Sequence, residues 1–268
     1  MTTSQSRKCV CGNRKTPAPA TALTSLSLKE IFSSIQGEGI YIGQRQIFIR
    51  LAGCNLHCRY CDTDFVPTDR CRIETAPGTG RFEEVDNPWA AERVLQLVTQ
   101  WKEQQPQLHQ ALVLTGGEPL LQAEALVHWL ERLDGMLPVH VETNGTLARM
   151  AEKVNPWVDF YSIDIKLSSS TAEATPWDEH EAFLSTCSGR PAQVKLVLGT
   201  DADWAELQRA ARLAARCLPH APLVLQPVTH NGCPQVSGRQ LLQWQAQLSA
   251  EHPDCRVIPQ VHPLLQVC

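Results

Sequence analysis

A chain of 268 residues, 43% hydrophobic and 19% charged, has enough apolar side chain to bury a full core and lacks the composition of a disordered protein. Its formal net charge of −4 speaks against a general nucleic-acid binder, because phosphate contacts need a basic face. No apolar run reaches the roughly 18 residues of a membrane span and no secretory signal opens the chain, so its eleven cysteines are expected to be reduced thiols in a cytoplasmic protein.

Residues 1–27 are rich in Ser, Thr, Pro and Ala, carry Arg7, Lys8, Arg14 and Lys15, and contain no acidic residue. They read as a poorly ordered tail, with residues 28–268 as one domain. Pro17 and Pro19 spoil an amphipathic transit helix, and Cys9 with Cys11 supply only two metal ligands. Residues 46–53 predict a strand with Ile47, Ile49 and Leu51 on one side and Phe48 and Arg50 on the other. A cysteine-rich loop follows, and then a polar stretch over 64–87 that reads as a surface insertion or lid.

Residues 88–105 predict an amphipathic helix, with Trp89, Val94, Leu97, Val98 and Trp101 near the helical period and Pro88 at its start. Residues 111–119 predict a continuous apolar strand of the kind buried on both faces of a parallel sheet. The alternation repeats: helix 121–133, strand 138–143, helix 147–154, strand 160–166, then an irregular stretch over 168–191. Strand 193–198, helix 204–217, strand 223–227, helix 238–248 and a last strand near 257–261 complete the chain.

Strands alternating with helices imply an α/β chain with a parallel sheet. About six such units are too few for a closed eight-fold barrel, so a partial (β/α)6 TIM-like barrel with a C-terminal extension is expected. Its site belongs at the C-terminal ends of the strands, where the cysteine loop and residues 115–118, 142–145, 164–166 and 226–227 all fall.

The loop reads Cys54-Asn55-Leu56-His57-Cys58-Arg59-Tyr60-Cys61-Asp62-Thr63. Three thiolates can converge on one small inorganic object, and a four-iron four-sulfur cluster held by three cysteines keeps one iron open. A structural zinc would need a fourth ligand, His57 or a distant residue such as Cys71. A disulfide between Cys54 and Cys58 would leave Cys61 over. The cysteines at 71, 187, 217, 233 and 255 show no paired spacing and read as core or surface thiols.

This loop resembles the ligand pattern of radical S-adenosylmethionine (SAM) enzymes. The resemblance implies that Cys54, Cys58 and Cys61 hold a [4Fe-4S] cluster whose open iron chelates SAM. An electron then breaks a carbon–sulfur bond to release a 5′-deoxyadenosyl radical. Gly116-Gly117-Glu118-Pro119 is similar to the segment that holds the methionine amino group, which makes Gly117 and Glu118 cofactor residues. By the same resemblance Tyr60, Asp62, Asn144, Asp164, Lys166 and Gln226 line the SAM site.

Further segments narrow the family. Ser34-Ile35-Gln36-Gly37-Glu38-Gly39, Phe48-Ile49-Arg50-Leu51-Ala52-Gly53-Cys54, Cys61-Asp62-Thr63-Asp64-Phe65 and Pro259-Gln260-Val261-His262 together resemble the 7-carboxy-7-deazaguanine synthase family. That resemblance implies a lyase acting on a carboxylated tetrahydropterin, with Ile35, Gln36, Gly37, Glu38, Thr115 and His262 around the bicyclic ring. It also implies Thr63 on a Mg2+ ion, a reductant such as flavodoxin, and a homodimer. Arg50 is expected to point into the barrel, where a buried guanidinium needs an anion, either the substrate carboxylate or an internal partner such as Glu38. A radical SAM activase of a protein partner and a non-enzymatic zinc module are the rival readings. The activase needs neither Arg50 nor the Gln36-Gly37-Glu38-Gly39 segment.

Overall fold

The computed structural model describes residues 25–61 and 64–267. Of the expected tail over 1–27, residues 1–24, with Cys9 and Cys11, lie outside the described residues, as do Asp62, Thr63 and Cys268, whereas Ser25 and Leu26 are not tail but a strand with Leu26 fully buried. In chain order the first strands are β1 (Ser25–Leu26), β2 (Leu28–Ile35), β3 (Arg45–Leu51), β4 (Arg70–Glu74), β5 (Phe82–Asp86) and β6 (Trp89–Ala90). The repeating units follow as α1 (Ala91–Gln104), β7 (Ala111–Gly116), α2 (Ala123–Leu133), β8 (Val139–Thr143), α3 (Ala148–Val154), β9 (Phe160–Asp164), α4 (Ser168–Thr171), α5 (Trp177–Thr186), β10 (Ala192–Leu198), α6 (Trp204–Cys217) and β11 (Leu223–Pro227). The small hairpin β12 (Thr229–His230) and β13 (Cys233–Pro234), then α7 (Gly238–Leu248), β14 (Cys255–Val257) and α8 (His262–Leu265), end the fold.

Ten strands form one sheet in the order β14-β11-β10-β9-β8-β7-β3-β2-β4-β5. From β3 to β14 every pairing is parallel, which gives the partial barrel and its C-terminal extension. Helices cover the outer face of the parallel strands, while the inner face carries a small apolar cluster and, toward the strand ends, polar side chains that line a cavity. Trp101, Trp129, Tyr161 and Phe183 dominate the main core, while Phe32, Phe48 and Val113 form the inner cluster. Asp203 caps α6 by accepting from the Glu206 amide at 3.0 Å, and Ser237 caps α7 by accepting from Gln240 at 3.2 Å.

Several expectations need correction. A strand, β2, precedes β3 and runs antiparallel to it, so Ser34 and Ile35 belong to a strand and the Gln36–Gly39 segment is the turn between two strands. The expected insertion over 64–87 contains the hairpin β4–β5, which extends the sheet beyond β2 as a wing. The stretch over 168–191 holds α4 and α5. The helix expected from 88 begins at Ala91, after Trp89 and Ala90 pair with β1. The last strand ends at Val257, since Pro259 has no N–H to offer a ladder, and His262 opens a short helix instead.

Candidate active site

The site begins with a close contact between two strand ends. A Cβ on Gly117 would lie 2.1 Å from the Gly53 carbonyl oxygen, and one on Gly116 would lie 2.2 Å from that of Leu51. Only glycine lets the start of the cysteine loop lie against the end of β7, where the Glu118 amide donates to the Gly53 carbonyl at 2.8 Å. The loop is tied on its other side as well. The Arg59 amide donates to the Thr171 carbonyl at 3.0 Å, the His57 amide to Glu173 at 3.0 Å, and Asn55 to Thr146 at 3.0 Å.

Cys54, Cys58 and Cys61 all line one cavity of about 850 Å³ at the C-terminal ends of the strands. Burial pushes the Cys58 thiol up to about 11 against the pull of Lys166, and burial also raises Cys54. The described cysteines form no disulfide among themselves. Among the described residues no three His, Cys, Asp or Glu side chains gather as ligands of a single ion. The three thiols border one cavity, the placement that a cluster held by three cysteines requires.

The wall expected to meet SAM is an ionic network. Lys166 Nζ donates to Asp164 at 2.9 Å and to the Tyr60 hydroxyl at 3.0 Å. Burial alone would lower Lys166, but the charges of Asp164, Tyr60 and Cys58 hold it well above its ordinary value. Lys195 stands 3.6 Å from Asp164 and donates to Glu38, which also accepts from Gln260 at 2.9 Å. Burial would raise Glu38, yet the Lys195 charge and the bonds from Lys195 and Gln260 bring it down to about 2. Asn144 lines the cavity and donates to Asn55 at 2.8 Å.

Glu118 stands apart from the other expected cofactor residues. Its carboxylate is fully buried, lies outside the cavity lining, and accepts from Thr143 Oγ1 at 2.9 Å and from the amides of Leu120 and Asn144 at 3.0 and 2.7 Å. It braces the ends of β7 and β8, and burial pushes it up to about 7.

Beside the ionic network Gln36 donates to Gln46 at 3.1 Å and to Glu142 at 2.9 Å, and Thr115 Oγ1 donates to Glu142 at 2.8 Å. Ile35, Gly37, Glu38 and His262 complete this wall. The Val261 amide donates to the Gly37 carbonyl at 2.8 Å, and a Cβ on Gly37 would lie 2.6 Å from His262, so the two segments interlock. Arg50 points into the cavity as expected, but its carboxylate partner is Glu30, reached from Nε at 2.9 Å, and not Glu38.

Sequence reasoning therefore placed Ile35, Gln36, Gly37, Glu38, Arg50, Tyr60, Thr115, Gly117, Asn144, Asp164, Lys166, Gln226 and His262 around one cavity with the three cysteines. Asp62 and Thr63 lie outside the described residues. It missed Lys195, Glu30 and Arg72, which also line the cavity, and placed Glu142 there only as part of the 142–145 strand end, without a role. A lysine in the apolar run Ala192–Leu198 was the available signal for Lys195, whose strand position pairs with Asp164.

The lining carries buried polar atoms that make no hydrogen bond among the described residues: Asp164 Oδ1 and Thr229 Oγ1. Buried polar groups are rarely left so, and together with the thiols they fit a cluster and a polar cofactor at this place. Comparison with known proteins agrees. A match to the radical SAM superfamily covers residues 48–214. The 7-carboxy-7-deazaguanine synthase of Geobacter sulfurreducens is 41% identical over 88% of this chain and 95% of its own length. That of Thermococcus kodakarensis is 35% identical over 75% and 83%. The crystal structure of QueE from Escherichia coli, 19% identical, superposes with a TM-score of 0.57 over 88% of this chain and 94% of its own, which supports the fold. With the cysteine loop, the cleft and these relatives in agreement, the chain belongs to the 7-carboxy-7-deazaguanine synthase family of the radical SAM superfamily.

Proposed function

We propose that this chain performs the reaction of its family: the SAM- and iron–sulfur-dependent ring contraction of 6-carboxy-5,6,7,8-tetrahydropterin to 7-carboxy-7-deazaguanine with loss of ammonia. This is a lyase step toward 7-deazapurines such as queuosine. The observation that carries the reading is the sharing of one cleft by three thiols and an inward-facing guanidinium. When bound, the cluster and SAM supply a radical able to take a hydrogen atom from the substrate, which no ordinary side chain does.

The chain's own work is to bind, orient and hold protons in place. Cys54, Cys58 and Cys61 would hold the cluster, and the Gly117 backbone with Asn144, Asp164, Lys166 and Gln226 would bound SAM. Arg50 keeps its terminal nitrogens for the substrate carboxylate, since Nε is engaged by Glu30. The rim made by Gln36, Thr115 and Glu142 suits the polar edge of a bicyclic ring, which Ile35, Gly37, Glu38 and His262 would enclose. Magnesium, used by the family, would take the Thr63 hydroxyl as a hard oxygen ligand.

Tyrosines near a radical are a hazard, and two of the three avoid it by position. Tyr41 packs on His140 and Phe160, and Tyr161 donates to Asn155 at 2.6 Å, both outside the cavity lining. Tyr60 faces the cavity, and because burial pushes its phenol up to about 12 it keeps its O–H hydrogen, which makes it the tyrosine that this hazard concerns. The remaining setting follows the family: a small-molecule substrate, a reductant such as flavodoxin, a homodimer and a cytoplasmic location. No helix of the described residues is long and apolar enough to cross a membrane.

Anaerobic incubation of the reconstituted protein with SAM, reductant and carboxytetrahydropterin should release 7-carboxy-7-deazaguanine and ammonia. Cys58→Ser should lose both the brown iron–sulfur absorbance and turnover. SAM cleavage that ignores the pterin and depends on a protein partner would overturn the reading.

A further inference from the structure

Four charged side chains stand in register across the wing of the sheet, Arg50, Glu30, Arg72 and Glu84, of which Glu84, opposite Arg72 on the edge strand, lies outside the cavity lining. Glu30 on β2 is the backbone partner of Arg50 on β3 and of Arg72 on β4. Residues opposite one another on neighbouring strands share a face, and these three line the cavity. Glu30 Oε1 accepts from Arg50 Nε at 2.9 Å, and Glu30 Oε2 lies 3.6 Å from a terminal nitrogen of Arg72. Aromatic rings support both guanidiniums. Arg50 lies 5.5 Å from the centre of the Phe32 ring, which stacks on Phe48 at 5.1 Å, and Arg72 lies 4.2 Å from that of Phe82.

Two guanidiniums share one carboxylate, so the trio carries one positive charge in excess. Lys29, the other cation along this edge of the cavity, is already engaged by Asp64 at 3.0 Å. The Arg50 side chain is 25% exposed and the Arg72 side chain 52%, so the inner cation is enclosed and the outer one stands at the mouth. An acid group arriving at this corner would bring the trio to neutrality. A planar guanidinium held through one nitrogen still offers others in fixed directions.

Resting on the reaction assigned above, we propose that Arg72 is a second cationic contact for the substrate's acid group. Glu30 is the positioning residue that turns both guanidiniums toward it. This corner then sets the preference for carboxylated over neutral pterins, and the wing that carries Arg72 is part of the specificity apparatus.

The test is anaerobic calorimetric binding of two tetrahydropterins to the reconstituted enzyme, one bearing a carboxylate at C6 and one a methyl group. Arg72→Gln should weaken the carboxylated ligand about fivefold, the value of a partly exposed charge pair, and leave the methyl ligand where it was. Arg72→Lys, which keeps the charge and loses the fork, should recover part of the loss. Glu30→Gln should also weaken the carboxylated ligand and raise KM more than it lowers kcat, with Glu30→Asp restoring part of both. Iron content and melting temperature identify variants that are folded and loaded. A folded Arg72→Gln protein with the wild-type preference for the acid overturns the proposal. If Arg50→Gln abolishes that preference while Arg72→Gln does not, this proposal fails alone. If both variants keep it, the assignment of Arg50 to the carboxylate fails with it.

Discussion

At the ends of β9 and β10 the cleft is bordered by two carboxylates and two ammonium groups, Glu38, Asp164, Lys166 and Lys195, with side-chain exposures between 7% and 21%. On the wing it is bordered by one carboxylate and two guanidiniums, and exposure rises outward to 52% at Arg72. Among these four the charges match and are nearly dry, while Glu142 beside them is held by the neutral donors Gln36 and Thr115. Burying charges is costly unless each one is matched, so such a network serves to fix the shape of the wall. The second group is wetter and one acid short, and a cation that water already stabilises can exchange it for a ligand at small cost. One cleft thus uses charge in two ways: matched where form must be held, and unmatched where an anion is to be received.

The contrast can be broken most severely at Lys195. Lys195→Met leaves Glu38 and Asp164 buried without their shared partner and should cost about 3–5 kcal/mol, read as a lower melting temperature of the iron-free protein. A melt equal to wild type would mean that the network is not structural. Glu38→Gln sharpens the point through pH. The Glu38 carboxyl is held down at about 2 against an ordinary 4.5, so its contribution is fully present above 4.5 and is lost as pH falls through 2. The stability gap between wild type and Glu38→Gln should therefore be widest near neutrality and close between those values, whereas a gap independent of pH would contradict the pairing. Arg72→Ala should be the mildest, costing under about 1 kcal/mol of stability because its partner is shared and its head is exposed. A larger loss would move the wing into the class of the inner network.

The same contrast explains what could be read before the fold was known. The parallel strands announce themselves because Ala111–Gly116 and Leu223–Pro227 are apolar on both faces, and their polar ends mark the cleft. The wing is a different case. Arg-Cys-Arg-Ile-Glu of β4 and Phe-Glu-Glu-Val-Asp of β5 bury one face at most, at a sheet edge, around a Pro-Gly turn, so their pattern reads as loop. Arg72 and Glu30 were missed for that reason, since only the register of β2 with β3 and β4 brings them beside Arg50. Glu118 shows the opposite error. It sits in the right motif and at the right strand end, but its side chain turns inward to satisfy Thr143, Leu120 and Asn144, a direction that spacing alone does not encode.

The interlock of Gly37 with Val261 and His262 sets an order of events in the life of the molecule. Synthesis proceeds from the N-terminus, so the wall that Gly37 shares with Val261 and His262 is finished only once those late-made residues have folded back against a turn made more than two hundred residues earlier.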